Sequence, residues 1–424
     1  MLLQFNFSNY GPFKNETSLN LEATSYSEYK EQVRVIDGNK ILPVNVIFGA
    51  NGSGKSFVYR AFRYMRYIVC SSVNFDCNAE PDSESFFANP VSCRLDDESK
   101  MKPSSFEIVL NAVINGKSVM LQYGFSVLNH KIENEWLYQL PKSEKSNSKV
   151  LLYRDSDMIK IGIPKMDPAL KATLETSTSP QTLVLSLGAK LNGDIFKNIF
   201  DFFSLSRVDD FANLYEIIYY DHKIPSCIVE NDKAKNECVS FLQTFEPSIK
   251  DLIIEEIMTE KDGTKKYRVN TVHVTSQGKE VIFKMEEESA GTQKMFLLFN
   301  DLYQIIKTGA FLFIDELNAR LHPLLLRNIM LLFLDKDRNP NNAQLVFTCH
   351  EPWILRSRLL RRDEIYFTNK DNETGISSLY SLAEFTDENG SKIRQDEDFE
   401  KNYLLGKYDG IPSLDVIDFA KKGN

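Results

Sequence analysis

Cysteine is scarce in this chain and never paired. The six copies, Cys70, Cys77, Cys93, Cys227, Cys238 and Cys349, include no C-x-x-C unit, which argues against a small disulfide framework and the common zinc sites. Free thiols in a reducing, cytoplasmic compartment are expected. Long apolar runs are also missing. None reaches the roughly 18 residues of a membrane span, and even residues 297–314 are interrupted by Asn300, Asp301 and Lys307. Residues 1–13 carry no basic run followed by an apolar core, so neither export nor membrane association is expected. Positive charge is in deficit, with 50 Lys and Arg against 59 Asp and Glu and a net charge of −9. No chain-wide basic field draws the protein onto nucleic acid, and any such contact needs a local patch. A composition of 42% hydrophobic and 26% charged residues excludes disorder and fibre. The 424 residues exceed the roughly 250 to 300 that one core organises, so one large or two ordinary domains are expected.

What is present begins with a hairpin. Residues 3–7 alternate apolar and polar, Ser8-Asn9-Tyr10-Gly11-Pro12 supplies turn chemistry, and residues 18–21 offer a second short strand. Residues 44–48 form a β-branched and aromatic run, a Gly-rich loop follows, and residues 57–69 have helical spacing. From 105 to 140 the apolar period becomes two. Phe106, Ile108 and Leu110 share a face, Asn115-Gly116 signals a turn, and Val119, Leu121, Tyr123, Phe125 and Val127 follow, which predicts a β-meander. Residues 142–149 read as an exposed loop, and 194–220 and 235–245 as helical. Asp262-Gly263 and Gln277-Gly278 punctuate strands ending near Lys284. Beyond Glu288 the pattern is helix 292–306, buried strand 310–314, helix 324–334 and buried strand 344–348, which predicts a parallel α/β sheet.

Gly49-Ala50-Asn51-Gly52-Ser53-Gly54-Lys55-Ser56 satisfies the phosphate-binding loop pattern between a predicted strand and a predicted helix. Glycines let backbone amides face phosphate oxygens, and the helix N-terminus adds partial positive charge. All eight residues are therefore assigned to ATP binding. Lys55 is expected at the β- and γ-phosphates, with a catalytic part, and Ser56 on Mg²⁺. The apolar run from Phe311 ends in Asp315 and Glu316, where a parallel strand meets the ligand crevice. Asp315 is expected to hold Mg²⁺, and Glu316 to orient and polarise the attacking water. A second buried strand delivers His350. A lone histidine is more often structural, but this one ends a sheet strand and is placed to donate to a γ-phosphate.

Together with Glu288-Ser289-Ala290-Gly291-Thr292, these motifs resemble, in order, those of an ABC-type ATPase: Walker A, signature, Walker B and switch histidine. Within that class the chain is similar to the SMC and RecF-like branch, and further to the stand-alone ATPases of bacterial phage defence, the RloA, AbiL-type and Septu PtuA-like group. The narrower likeness rests on Phe7-Ser8-Asn9-Tyr10 with Pro12-Phe13, on residues 288–292, and on Asp315-Glu316 with Leu321-His322-Pro323. Thr348-Cys349-His350-Glu351-Pro352 and Tyr403-Leu404-Leu405-Gly406-Lys407-Tyr408 complete it. Ala290 and Thr292 stand where a transporter signature has glycine and glutamine, and residues 318–321 lack the Asp of a D-loop.

The resemblance implies that Ser289 and Gly291 act in trans on the γ-phosphate held by a neighbour's loop, which makes homo-oligomers from head-to-tail ATP sandwiches. On residue type alone Ser289 is a helix cap. Gln122 is either a Q-loop glutamine or a solvent-facing strand residue. Tyr10 either approaches adenine or packs within the hairpin. The run Arg356, Arg358, Arg361 and Arg362 either contacts a phosphate backbone or is a surface balanced by Asp363 and Glu364.

The expected fold is an α/β ABC-type P-loop ATPase head assembled from both ends of the chain. Residues 1–150 form its N-terminal β-rich lobe with Walker A and the meander. Residues 151–250 form a compact, partly helical insertion in place of a long coiled coil, and 251–424 carry signature, Walker B and switch histidine. The resemblance implies an ATP- and Mg²⁺-dependent switch subunit of anti-phage defence, with slow or regulated hydrolysis, that holds or releases a separate effector, a nuclease in similar systems. No nuclease carboxylate cluster stands outside the nucleotide motifs. The alternatives are a RecF/SMC-like repair ATPase on duplex DNA and a transport subunit, the latter disfavoured by the long insertion between Lys55 and Glu288.

Overall fold

The computed structural model describes residues 1–76, 87–114, 116–141, 147–156, 158–212, 224–259, 265–319, 321–356, 358–386 and 390–411. Cys77, Asn115, the Asp262-Gly263 turn, Arg320, residues 142–146 of the expected loop and 213–220 of the expected helical stretch lie outside them.

Period-two alternation builds the first layer. β1 (Leu2–Ser8) and β2 (Thr17–Asn20) form the expected hairpin, then come the short pair β3 (Arg34–Ile36) and β4 (Asn39–Ile41), and β5 (Val44–Gly49). The meander is β6 (Ser104–Ile114), β7 (Lys117–Leu128) and β8 (Lys131–Leu140), continued by β9 (Lys149–Arg154) and β10 (Ile159–Ile161). These strands make a seven-stranded antiparallel sheet, ordered β10-β9-β8-β7-β6-β1-β2. Its register sets Phe7 beside Phe106 and Phe125, and Phe5 beside Ile108 and Tyr123, so aromatic and branched side chains stack on one face.

The second layer is the parallel sheet. β11 (Arg207–Asp210) precedes a separate antiparallel sheet of β12 (Ile249–Thr259), β13 (Lys265–Val274) and β14 (Glu280–Lys284). β15 (Phe311–Asp315), β16 (Gln344–Thr348), β17 (Ile365–Lys370) and β18 (Ser377–Ser381) follow. The spatial order is β11-β15-β16-β5-β17-β18, parallel throughout except for β18 at the edge. β5 thus sits between the strands that end at Thr348 and at Lys370.

Both faces of this sheet are buried, which is why its strands are nearly unbroken apolar runs. Ile47, Phe311, Phe313 and Val346 pack with Val58, Phe62 and Met65 of the helix Lys55–Ser71 and with the antiparallel lobe. Val46, Phe48, Leu312, Ile314 and Phe347 pack on the other face with Leu298 and Leu302 of the helix Ala290–Thr308 and with Ile329 and Phe333 of the helix Pro323–Leu334. The result is an α/β fold in which a parallel sheet covered on both faces stands beside an antiparallel lobe. Between β10 and β12 stand the helices Pro168–Ser177, Val184–Lys190, Asp194–Leu205, Ser226–Glu230 and Asp232–Gln243.

One expectation changes here. The 194–220 stretch is not uniformly helical: its helix ends at Leu205 and β11 joins the parallel sheet beside β15. Arg207-Val208-Asp209-Asp210 is too short and polar to show strand periodicity, and as an edge strand it needs no apolar face on its free side.

Candidate nucleotide site

The phosphate loop is pinned by close backbone approach. A Cβ on Gly49 would lie 2.3 Å from Thr368 Oγ1 and 2.7 Å from Thr368 O, so only glycine lets β5 leave the sheet against β17. Ser53 Oγ and Thr368 Oγ1 share a 2.6 Å hydrogen bond, and Thr368 Oγ1 also donates to Phe48 O. Gly54, at φ 115°, packs on Phe13 and Ser377 and precedes a helix with no side-chain cap and no acidic residue in its first turn. The first amides of Lys55–Ser71 therefore remain as donors for an anion. Asn51 and Gly52 at the tip are exposed.

Lys55 is only 5% exposed, and its Nζ donates to Gly49 O at 2.7 Å and Ala50 O at 2.8 Å. An ammonium carries three donors, so one is left for a ligand. Burial pushes its pKa down to about 8, opposed by the charges of Asp315 and Glu316.

β15 and β16 deliver the acids and the histidine. Asp315 is buried and accepts from Thr348 Oγ1 at 2.6 Å, with the Ser56 hydroxyl near its carboxylate. Burial raises its pKa, the Thr348 and Ser56 hydroxyls hold it down, and the charges of Asp210 and Glu316 add to the rise. Glu316 adopts φ 54°, a left-handed conformation that costs a non-glycine residue about 1–3 kcal/mol. Its N–H donates to Thr348 Oγ1 at 2.8 Å. His350 Nε2 lies 3.4 Å from Glu316 Oε1, and the His350 N–H donates to Asn318 Oδ1. Burial and the Lys55 charge lower the His350 pKa while Glu316 opposes them.

The fold thus gathers Lys55, Ser56, Asp315, Glu316 and His350 into one crevice. A hydroxyl and a carboxylate near one another are a fitting oxygen donor pair for Mg²⁺, which takes few protein ligands and completes its shell with water and phosphate. Among the described residues no group of three or more His, Cys, Asp or Glu forms a metal cluster.

The residues expected to form a signature stand apart. Ser289 is exposed and caps the helix Ala290–Thr308, accepting from Thr292 N at 3.1 Å. Among the described residues no hydrogen bond joins Ser289 or Gly291 to residues 49–56 of the same chain. Two links that the sequence did not signal hold this segment in place. Glu288 Oε1 accepts from Thr271 and lies 2.7 Å from His273 Nε2, both on β13. Buried Lys294 donates to Phe211 O at 2.6 Å, and Phe211 N donates to Asp315 O at 3.0 Å, so the helix Ala290–Thr308 and β15 share one backbone segment. Lys294 stood out in sequence only as a lysine within an apolar helix stretch.

The residues left open by the sequence take different places. Tyr10 is 5% exposed within the Phe7, Phe57, Tyr64 and Phe106 rings. Gln122 lies mid-strand on β7 opposite Val109 and Tyr138. The arginine run divides. Arg361 is buried against Asp363 and backbone carbonyls, and Arg362 pairs with Glu28 over the Tyr26 ring, whereas Arg356 and Arg358 are exposed.

Among solved structures, the chain is similar to an SMC head bound to the C-terminal winged-helix domain of ScpA, with 12% identity, a TM-score of 0.45, and 90% of this chain and 97% of that chain covered. It is also similar to the SMC head domain from Thermotoga maritima, with 12% identity, a TM-score of 0.38, and 90% and 98% covered. No curated protein matches the chain in sequence. Among the described residues no helix is long and apolar enough to cross a membrane. The model of the AAA_21 family, described as "AAA domain, putative AbiEii toxin, Type IV TA system", matches residues 44–356, from the strand before the phosphate loop to just past His350, and the chain belongs to that family.

Proposed function

We propose that this protein is an ATP-hydrolysing switch in an anti-phage defence system, and that its nucleotide-dependent association holds or releases a separate effector. The observation that carries the reading is the Thr348 hydroxyl tying Asp315 to Glu316 beside the Lys55 loop. Residues 49–56 hold the phosphates, Lys55 meets the β- and γ-phosphates, and Ser56 and Asp315 hold Mg²⁺. Bound there, Mg²⁺ neutralises charge developing on the phosphates. Glu316 orients the attacking water, and His350 donates toward the γ-phosphate. Ser289 and Gly291 complete the site of a neighbouring copy, a reading supported by the exposure of Ser289 away from its own loop. The division at about 150 and 250 is part of the same proposal. The effector role draws on the family description, which names a toxin and a toxin–antitoxin system.

Glu316→Gln tests the chemistry. It should bind ATP within a few-fold of wild type and hydrolyse it at least about a hundredfold more slowly, because the amide keeps the shape but not the charge that orients water. Persistent turnover would place the base elsewhere. Phage plating on cells carrying the intact system tests the biology: Lys55→Ala should abolish protection.

A further inference from the structure

The motif at residues 403–408 has no part in the phosphate chemistry, yet it is built against the site. Tyr403 stacks on Phe367 at 5.4 Å and tilts against Phe48 at 6.3 Å, so β17 and β5 anchor it. Tyr380 donates to Tyr408 O at 2.6 Å, and Asn402 donates to Tyr408 Oη at 3.1 Å. The turn that follows carries three left-handed residues, Gly406, Asp409 and Gly410, and such backbone persists where the surroundings over-determine it.

This turn is one wall of a cavity of about 790 Å³, within the roughly 300–1,000 Å³ of small-ligand sites. The opposite wall is Ala50, Asn51, Gly52 and Ser53 of the phosphate loop, and the floor is the end of β17 with the turn after it. A ligand gripped by the loop therefore has this space beside it. Of the polar groups lining it, Asp371 is used within its own turn, accepting from Glu373 and Thr374. Among the described residues the side chains of Asn369 and Asp409 make no hydrogen bond or ion pair. Asn369 directly follows Thr368, whose hydroxyl holds Ser53, so its position is fixed relative to the loop.

We infer that this cavity receives the nucleoside half of the loop's nucleotide, with Asp409 accepting from the ribose hydroxyls and the Asn369 amide reading the base. A carboxylate suits a diol, which offers two donors, and an amide offers the paired donor and acceptor that a base edge requires. The turn beginning at Gly406 is then a specificity wall, which explains why it is braced on the two strands that flank the loop. This rests on the nucleotide reading of the loop, and the test separates the two.

Calorimetry on the full chain with Mg²⁺ compares ATP, 2′-deoxy-ATP and inorganic tripolyphosphate, which carries no nucleoside. Wild type should prefer ATP over tripolyphosphate at least about tenfold, a level that one or two good hydrogen bonds supply. Asn369→Ala and Asp409→Ala, at half-buried and exposed positions, should lose most of that preference while tripolyphosphate affinity stays unchanged, and Asp409→Ala, which removes the acceptor, should no longer separate ATP from 2′-deoxy-ATP. Unchanged ATP affinity in both variants overturns the assignment, as does an equal loss for ATP and tripolyphosphate, which would mean the loop itself was disturbed. Failure of the underlying loop reading shows differently, as tripolyphosphate binding that survives Lys55→Ala.

Discussion

Thr348 joins the two acids of the site: its Oγ1 donates to Asp315 Oδ1 over 2.6 Å and accepts the Glu316 N–H over 2.8 Å. Thr348→Val keeps the side-chain shape and removes both bonds. It should cost about 1–3 kcal/mol in a denaturant melt and slow ATP turnover at least about tenfold, since positioning supplies much of phosphoryl-transfer catalysis. Because this hydrogen bond holds the Asp315 pKa down, the variant's Mg²⁺ requirement should also move to higher pH. Thr348→Ser, which restores the hydroxyl, should recover most of the rate. Wild-type turnover in the valine variant would remove Thr348 from the site.

Lys55 should make nucleotide binding a proton-linked event. In the free protein its pKa is pushed to about 8 by burial, and phosphates beside it favour the charged form and lift it again. Below that value the ammonium is already charged and binding moves no proton through it. Above it, binding takes up as much as one proton per site. Calorimetry near pH 9 in buffers of different ionisation heat should reveal this uptake in wild type and its loss in Lys55→Met. The same shift makes the unfolded chain the better proton binder between about 8 and 10.5, so the Lys55 contribution to stability grows as pH rises through that window and is lost as pH falls through the lower value. Equal heats in all buffers would contradict the assignment.

Gly49→Ala should fail for a reason unrelated to charge. The added methyl meets Thr368 Oγ1 at 2.3 Å, Ser53 Oγ at 2.6 Å and the Thr368 carbonyl at 2.7 Å. The carbonyl belongs to β17, which pairs with β5 through Thr368 and Gly49. The strand cannot yield without breaking that ladder. A loss of about 2 kcal/mol or more is expected in a thermal or denaturant melt, together with weaker triphosphate binding. Pairing this variant with Thr368→Ala, which removes one of the three clashes, should recover part of the stability.

What could be read in advance follows from where the forces are local. Residues 44–48 and 311–314 announced a buried sheet because both faces of each strand are covered, and Phe106, Ile108 and Leu110 announced a meander because they share the face of β6 that meets the main core, while Val109 on the other face joins only a small cluster with Leu3 and Ile41. The phosphate loop was legible because glycine spacing is itself the geometry. β11 was not, since its four residues, three of them charged, owe their strand pairing to β15 alone. Nor could sequence separate Arg361 from Arg356: both are arginines in one run, and only the fold buries the first against Asp363 and leaves the second exposed. The Glu288 contacts with Thr271 and His273 likewise join segments whose proximity is created by the β12–β14 sheet.

The last prediction concerns sites shared between copies. Ser289 is exposed and its side-chain hydrogen bonds stay within its own helix cap, and the proposed reading sets Gly291 beside it against a neighbour's phosphate loop. Gly291→Asp would set a carboxylate against phosphate, and Lys55→Ala disables each copy's own loop. Each variant alone should be inactive. In a mixed oligomer, one class of composite site pairs the intact loop of the Gly291→Asp copy with the intact signature of the Lys55→Ala copy, and that site should hydrolyse ATP. Partial recovery of phosphate release on mixing is therefore expected, with none when exchange between oligomers is blocked by prior crosslinking. Absence of recovery in verified mixed oligomers would argue against independently competent composite sites. Full activity of Gly291→Asp alone would be more damaging, because residues 288–292 would then be no more than the cap of the helix Ala290–Thr308.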